Sequence, residues 1–242
     1  MTPCPQLFRL DASLAVPREG STSRAVADSF ERVWSLEHPG GTVVRRDLAA
    51  SPVPLIDHAA VSARFVPADL RDAAQTAAVE LADTLTAELV DSDAYLFAVP
   101  LYNWTNPAAV QAWIDRIFTT EPLRAEGTRP IAGRPAVLVH SRGGGYGPGT
   151  PREGWDHAEP YLRRVLEDVW GLDLRVVTAE LTLAASVPAM ADFRDLGAAS
   201  LSSAHVAAED EGRRLSELVG AELIQRFGTG ESVDLSTSRA TV

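Results

Sequence analysis

Hydroxyl side chains gather in one segment that could bind an anion. The stretch 13–26 begins with Ser13 and brings Ser21, Thr22 and Ser23 to the start of a helical pattern. The free N–H groups and the dipole of a helix N-terminus attract anions, so a phosphate monoester could bind there without a lysine. Neither GxGxxG nor GxxxxGK[ST] occurs in this segment, which excludes the dinucleotide fingerprint and the P-loop. The alternative is that Ser21 or Thr22 only caps the helix.

A second segment could bind a planar conjugated ligand. The apolar run 94–99 is followed by Pro100, Leu101, Tyr102, Asn103 and Trp104. Backbone N–H groups would bind the heteroatom edge of such a ligand, and apolar or aromatic side chains would cover its face. Alternatively, the aromatic side chains only cap the core at the end of a strand. Asn103, next to Trp104, favours a binding site.

A third segment, "HSRGGGYGPG" at 140–149, is rich in glycine. Successive glycines let the backbone approach a ligand closely, and Ser141 and Arg142 add hydrogen-bond donors. Taken alone, such a loop more often indicates flexibility than a site. Together with the other two segments it predicts a cradle, with a phosphate at the first loop and a ring at the second and third.

Other reactive side chains do not form a recognisable set. The five histidines are scattered without the spacing of metal ligands, and no Ser/His/Asp or Cys/His motif is present. We interpret Asp11 as a strand-end carboxylate, His140 as a satisfied strand-end residue and His157 as an exposed helix residue. The sequence therefore predicts neither a catalytic acid or base nor a metal site.

The elements that position these loops alternate between strand and helix. Strands are predicted at 6–13, 42–48, 94–99, 135–141 and 173–181, and helices at 21–38, 67–90, 106–118, 155–170 and 189–227, the last with a break near Gly197. Parallel neighbours require right-handed crossovers, so helices should cover both faces of one sheet. We predict an α/β fold, a three-layer doubly wound five-stranded parallel sheet with the flavodoxin-like strand order 2-1-3-4-5. In that order the loops after the first and third strands flank the ligand crevice.

Composition narrows the class of partner. A chain of 242 residues with 45% apolar content suits one domain, predicted over 1–227 and followed by a disordered polar tail at 228–242. The net charge of −11 argues against nucleic acid and anionic membranes as partners. No apolar run is long enough to span a bilayer, and no secretion signal is recognisable, so we expect a soluble cytoplasmic protein. The single cysteine, Cys4, fits a reducing compartment.

The ordered combination of these segments resembles a known family. The chain is similar to the FMN-dependent NADH azoreductases, which belong with the NAD(P)H quinone reductases of the flavodoxin-like fold. The similarity runs from about Leu7 to Ala184. It rests on "SLAVPREGSTS", "RRDLAASPVPLID", "VPLYNW" before a helix containing "WID", "SRGGGY", and "PYLRRVLEDVWGL".

The resemblance implies an FMN site in the predicted cradle. The positions that match the family's FMN phosphate site are Ser13, Ser21, Thr22 and Ser23. The positions that match the loop along the isoalloxazine are Pro100, Leu101, Tyr102, Asn103 and Trp104. The positions that match the loop at the pyrimidine side of the flavin are Ser141, Arg142, Gly143, Gly144 and Tyr146. It also implies a homodimer with the flavin near the interface. The implied reaction is a ping-pong cycle in which NADH or NADPH reduces FMN, and a quinone, azo compound or related conjugated aromatic acceptor then takes the hydride.

The chain departs from the family after the third helix, which bears on the acceptor. The segment "TTEPLRAEGTRPIAG" is shorter than in relatives and lacks aromatic residues, and Gln111 replaces a usual lysine. These changes are compatible with a biosynthetic acceptor, for instance an aromatic polyketide quinone. Two alternatives remain open at this point, namely a flavodoxin-type electron carrier with an acidic docking surface and a flavin-free member of the fold that binds a metabolite.

Overall fold

A single parallel sheet organises the chain. The computed structural model describes residues 4–15 and 20–227, so the predicted tail at 228–242 lies outside the described residues. The strands are β1 Gln6–Asp11, β2 Thr42–Asp47, β3 Ala94–Pro100, β4 Pro135–Ser141 and β5 Asp173–Ala179. Their order is β2-β1-β3-β4-β5 and every neighbouring pair is parallel. The predicted strand order is confirmed.

Helices cover both faces of the sheet. They are α1 Thr22–Glu37, α2 His58–Ser62, α3 Ala73–Val90, α4 Ala108–Ile117, α5 Ala158–Arg163 and α6 Arg194–Phe227, with 3₁₀ turns at Ala63–Phe65, Ala68–Leu70 and Pro188–Phe193 and a π-helical turn, Arg164–Val169, that continues α5. Buried side chains of α1 and α6 share one core with the sheet, and those of α3, α4 and α5 share the other. The result is the expected three-layer arrangement.

Two helix predictions differ from the structure. The helix predicted at 67–90 begins at Ala73, because Asp72 forms a capping box with Gln75 that fixes the helix start. The break predicted near Gly197 is wrong, since α6 runs through this residue. Gly197 instead allows a close approach, because a Cβ there would lie 2.8 Å from the Leu181 carbonyl oxygen.

An aromatic cluster fixes α4 against the sheet. The ring of Phe8 on β1 stacks on Trp113 of α4 at 6.1 Å and an angle of 11°, and Trp113 meets Trp170 edge-on at 5.7 Å. All three side chains are fully buried. Because α4 follows the loop after β3, this packing also fixes where that loop ends.

A buried ionic network lies at the end of β1, just before the first loop. The guanidinium of Arg9 contacts Asp11 at 3.0 Å, Asp28 at 2.6 Å and Glu31 at 2.8 Å. Burial alone would lower the pKa of Arg9, but the charges of Asp11, Glu31 and Asp28 outweigh it and raise that pKa. The network joins β1 to α1, whose N-terminus carries the hydroxyl cluster.

Replacing Arg9 should destabilise the fold strongly. Arg9→Met keeps the volume but removes the buried cation nearest to Asp11 and leaves the more distant Arg45, at 3.6 Å, so we expect the free energy of unfolding to fall by about 3 kcal/mol. Arg32→Met breaks only the exposed pair of Arg32 with Glu209 and should cost less than about 1 kcal/mol. Urea unfolding at pH 7 compares the two variants, and equal losses would contradict a specific role for the buried network.

Candidate functional site

The loops after β1, β3 and β4 meet at the carboxyl edge of the sheet. The hydroxyl of Tyr102 lies 3.5 Å from Ser13 Oγ and accepts a hydrogen bond from the Leu14 N–H at 3.1 Å. The Leu101 N–H donates to the Ser141 carbonyl oxygen at 2.8 Å. The first contacts join the first loop to the second, and the last joins the second to the third. The three predicted loops therefore come together.

These loops surround a cleft of about 240 Å³. The predicted site residues that line it are Ser13, Ser21, Thr22, Pro100, Leu101, Tyr102, Ser141 and Gly143. Ala15, Gly20, Thr182 and Leu183 also line it and were missed by the sequence reasoning. Thr182 and Leu183 follow β5, which ends at the same sheet edge, so the strand order itself was a signal that could have found them.

Five other predicted residues lie next to the cleft rather than in its lining: Ser23, Asn103, Trp104, Arg142 and Gly144, with Tyr146 further along the third loop. Ser23 is buried, and its Oγ lies 3.3 Å from Ser21 Oγ. Asn103 and Trp104 form an exposed turn, and Arg142 belongs to an ionic network.

The anion end of the cleft is the N-terminus of α1. Ser21 caps the helix, because its Oγ accepts the Arg24 N–H at 3.4 Å. The capping alternative for Ser21 is thus correct, and it is compatible with a site. Thr22 is half-buried and its hydroxyl has no hydrogen-bond partner among the described residues. With the first N–H groups of the helix, which have no intrahelical acceptor, this hydroxyl leaves donors available for an anion.

The turn in the second loop adopts an unfavourable backbone conformation. Asn103 and Trp104 have φ of 48° and 65°, between Tyr102 and Thr105, which exchange two backbone hydrogen bonds. Positive φ is rare for a bulky side chain such as Trp. The His157 N–H holds the turn by donating to the Trp104 carbonyl oxygen at 2.9 Å. Strain of this kind persists only where surrounding contacts enforce it, and it is concentrated at functional sites.

Two exposed indole rings stand beside this turn. Trp104 and Trp155 meet edge-on with ring centroids 5.7 Å apart, and they are 44% and 49% exposed. The sequence reasoning missed Trp155, although a tryptophan in a segment rich in glycine and proline was an available signal. The pair forms an exposed aromatic surface next to the loop that adjoins the cleft.

The third loop is fixed by a chain of ionic contacts that starts at His140. The His140 ring is fully buried, with Nδ1 2.9 Å from the Val99 carbonyl oxygen and Nε2 3.0 Å from Asp156. Both ring nitrogens therefore have a polar partner inside the protein, one a backbone carbonyl and the other a carboxylate. The prediction of a satisfied strand-end histidine is confirmed.

Asp156 links His140 to the glycine-rich segment. It accepts from Arg142 Nη1 at 2.9 Å, and Arg142 Nη2 reaches Glu180 at 3.0 Å. Glu180 in turn accepts the Tyr146 N–H at 3.1 Å. Burial alone would raise the pKa of Asp156. The hydrogen bond and the charge of His140, together with hydrogen bonds from the Glu159 N–H and the Arg142 side chain, outweigh burial and lower this pKa well below its usual range.

The glycine at the cleft lies close to the loop after β5. A Cβ added to Gly143 would lie 2.7 Å from Leu183 Cδ1, so the end of this half-exposed side chain would have to shift to admit it. The described residues that line the cleft include no thiol and no carboxylate. Within residues 4–15 and 20–227, no group of three or more His, Cys, Asp and Glu side chains is placed to hold a metal ion. The lining can therefore bind and orient a ligand, while redox chemistry would need a bound group.

Among the described residues, none of the helices is both long and apolar enough to span a membrane.

Sequence comparison identifies relatives of known class. Residues 10–199 match a protein family described by its flavodoxin-like fold. An FMN-dependent NADH:quinone oxidoreductase of Frankia casuarinae is 41% identical over 206 residues, covering 84% of this chain and 97% of that protein. The protein of the same name from Streptomyces avermitilis is 39% identical over 215 residues, covering 89% of this chain and 99% of that protein.

Solved structures show the same fold at lower identity. An FMN-dependent NADH-azoreductase of Bacillus anthracis in complex with FMN has a TM-score of 0.72 at 18% identity, covering 87% of this chain and 99% of that one. A second azoreductase structure from Bacillus anthracis has a TM-score of 0.69 at 19% identity, covering 88% and 99%. These likenesses establish a flavodoxin-like fold.

Removing the Asp156 carboxylate should destabilise the protein in a pH-dependent way. In the folded protein the pKa of Asp156 lies below the value of about 3.9 for an unfolded Asp, so its stabilisation is complete above about pH 4 and is lost as the pH falls further. We expect Asp156→Asn to lower the free energy of unfolding by about 2–4 kcal/mol at pH 7, and the difference from the wild type should shrink below pH 4.

Urea unfolding at pH 7 and in the acid range measures this difference. Asp168→Asn is the matched control, because its pair with Arg164 is exposed and should contribute less than about 1 kcal/mol. A loss for Asp156→Asn that is the same at both pH values would show that the carboxylate charge is not responsible.

Proposed function

Because this chain belongs to the flavodoxin-like family of the FMN-dependent NADH:quinone oxidoreductases, we propose that it is an FMN-dependent enzyme that transfers a hydride from NADH to a quinone, azo or related conjugated acceptor. The observation that carries the proposal is the convergence of three loops around one cleft at the N-terminus of α1. The donor set of that cleft suits a phosphorylated flat ligand.

The phosphate of FMN would bind at the first loop. Thr22 offers a hydroxyl without a partner among the described residues, and the start of α1 offers free N–H groups and the positive end of its dipole. Ser13 and Ser21 line the same end of the cleft, and the hydroxyl of Ser23 contacts that of Ser21. No acidic side chain lies in the first turn of α1 to repel the phosphate.

The ring of FMN would lie along the second and third loops. Pro100, Leu101 and Tyr102 supply backbone and apolar surface, and Ser141 and Gly143 supply polar backbone at the opposite wall. The Leu101 to Ser141 hydrogen bond holds these two walls in register. Asn103, Trp104, Arg142, Gly144 and Tyr146 would complete the site from the adjoining loop positions.

Bound FMN supplies the redox chemistry, because it can accept a hydride from NADH and pass it to the acceptor. The protein binds and orients the reactants. The chain from His140 through Asp156 and Arg142 keeps the glycine-rich loop in place, and the Trp104 and Trp155 rings offer an aromatic face for a conjugated acceptor beside the cleft.

We also propose that the enzyme is a cytoplasmic homodimer. Large apolar side chains are exposed around the cleft between the three loops, with Leu14 55%, Leu183 49% and Trp104 44% exposed. A concentration of exposed apolar surface supports a protein interface. A single exposed cysteine, Cys4, is compatible with a reducing compartment.

Anaerobic stopped-flow mixing tests the proposed reaction. NADH alone should bleach the absorbance of the bound flavin at roughly 450 nm, and benzoquinone added afterwards should restore it. An electron carrier would need a separate reductase for the first phase, and a flavin-free protein would be colourless after incubation with FMN and gel filtration. Either of these results would contradict the proposed enzyme.

Removing the Tyr102 hydroxyl should weaken FMN binding. Tyr102→Phe keeps the ring but removes the acceptor of the Leu14 N–H and the contact with Ser13 Oγ, which frees the first loop. A lost hydrogen bond of about 1 kcal/mol corresponds to a rise in the FMN dissociation constant of about fivefold. Fluorescence titration measures the constant. Tyr161→Phe, on α5, is the control, and equal effects in both variants would remove Tyr102 from the site.

A further inference from the structure

A second cleft, of about 350 Å³, lies on the outer side of α3 and is lined by three arginines. Arg64 comes from the 3₁₀ turn after α2, Arg71 from the residue that follows the next 3₁₀ turn, and Arg124 from the segment after α4. The floor is formed by small side chains, mainly alanines of α2 and α3. None of its lining residues is shared with the cleft between the three loops.

These arginines differ from most others in the described part of the chain. Arg9, Arg24, Arg45, Arg46 and Arg142 each form an ion pair with a carboxylate. None of the three cleft arginines forms such a pair within the described residues, although the exposed acids Asp83 and Glu121 line the same cleft. Three arginines without an ion pair in the described structure thus line one cleft, together with two acids, in a chain with a net charge of −11.

The guanidinium groups also keep most of their hydrogen-bond donors unused. Arg71 Nε donates to the Val66 carbonyl oxygen at 3.1 Å, and Arg64 lies over the Phe65 ring at 5.8 Å. The Nε of Arg124 is buried and has no partner among the described residues. This nitrogen is therefore a donor that an acceptor bound in the cleft would satisfy.

The donor set fits a phosphate group. Guanidinium forks bind phosphate oxygens in pairs, and an anion between the arginines would relieve the repulsion among their like charges. The two acids at the same cleft offset only part of the positive charge of the three arginines, and their oxygens would accept hydrogen bonds from hydroxyl groups. The volume of about 350 Å³ accommodates a small phosphorylated molecule.

From this geometry we propose that the cleft between α3 and the segment after α4 binds a phosphate monoester whose organic part carries hydroxyl groups. The bound phosphate contacts Arg64, Arg71 and Arg124, and the hydroxyl groups face Asp83 and Glu121. Such a ligand joins α2 and its 3₁₀ turn to α3 and α4. The site is independent of the redox function.

Isothermal titration calorimetry with ribose 5-phosphate tests the site, in low-salt buffer with FMN at saturation. We expect saturable binding to the wild type, with a dissociation constant below about 1 mM, and none of ribose. Arg64→Gln and Arg124→Gln should each weaken binding about tenfold, because each removes charge-assisted hydrogen bonds. Arg175→Gln, an exposed arginine of β5 without an ion pair among the described residues, should leave the affinity unchanged.

Three results would overturn the proposal: no saturable binding of ribose 5-phosphate up to about 10 mM, an equal loss in Arg175→Gln, or unchanged affinity in both cleft variants. Thermal unfolding of each variant verifies that it is folded, and Arg64→Gln, at an exposed position, keeps the test valid if Arg124→Gln unfolds. If the redox proposal failed and the protein did not bind FMN, ribose 5-phosphate could bind at the N-terminus of α1 instead. Binding there would be unaffected by Arg64→Gln and Arg124→Gln, so a failure of the redox proposal can be told apart from a failure of the arginine cleft.

Discussion

The phenol of Tyr102 and the hydrogen bond from Leu101 to Ser141 determine the architecture of the candidate site. A parallel sheet brings the carboxyl ends of its strands to one edge, but it does not by itself fix the loops that follow. Tyr102 binds the first loop through Leu14 and Ser13, and Leu101 binds the third through Ser141. The second loop is therefore the common partner of the other two, and its position depends on α4, which the stacked rings of Phe8 and Trp113 fix against the sheet.

Networks of buried charged residues fix the first and the third loop. At the first loop, the Arg9 network joins β1 to α1 behind the helix N-terminus. At the third loop, His140, Asp156, Arg142 and Glu180 join β4 to the glycine-rich segment and to the loop after β5. The described residues that line the cleft include no carboxylate, which suits a site for an anionic cofactor that brings its own redox chemistry.

The fold was largely predictable because its signals are local. The alternation of strand and helix patterns indicated the parallel sheet, and the strand order then placed the three loops together. Gly197 was misread because its close contact with Leu181 comes from a distant loop. The positive φ of Trp104 contradicts local preference and depends on His157. Thr182 and Leu183 have no distinctive pattern, and the arginine cleft unites three separate segments. The roles of the site residues toward FMN remain a prediction.

A crystal structure of the protein grown with FMN tests the central claim most directly. The account predicts the phosphate within hydrogen-bond distance of Thr22 and the first N–H groups of α1, with the ring between Leu101 and Gly143. A flavin bound elsewhere, or a phosphate directed away from α1, would contradict it.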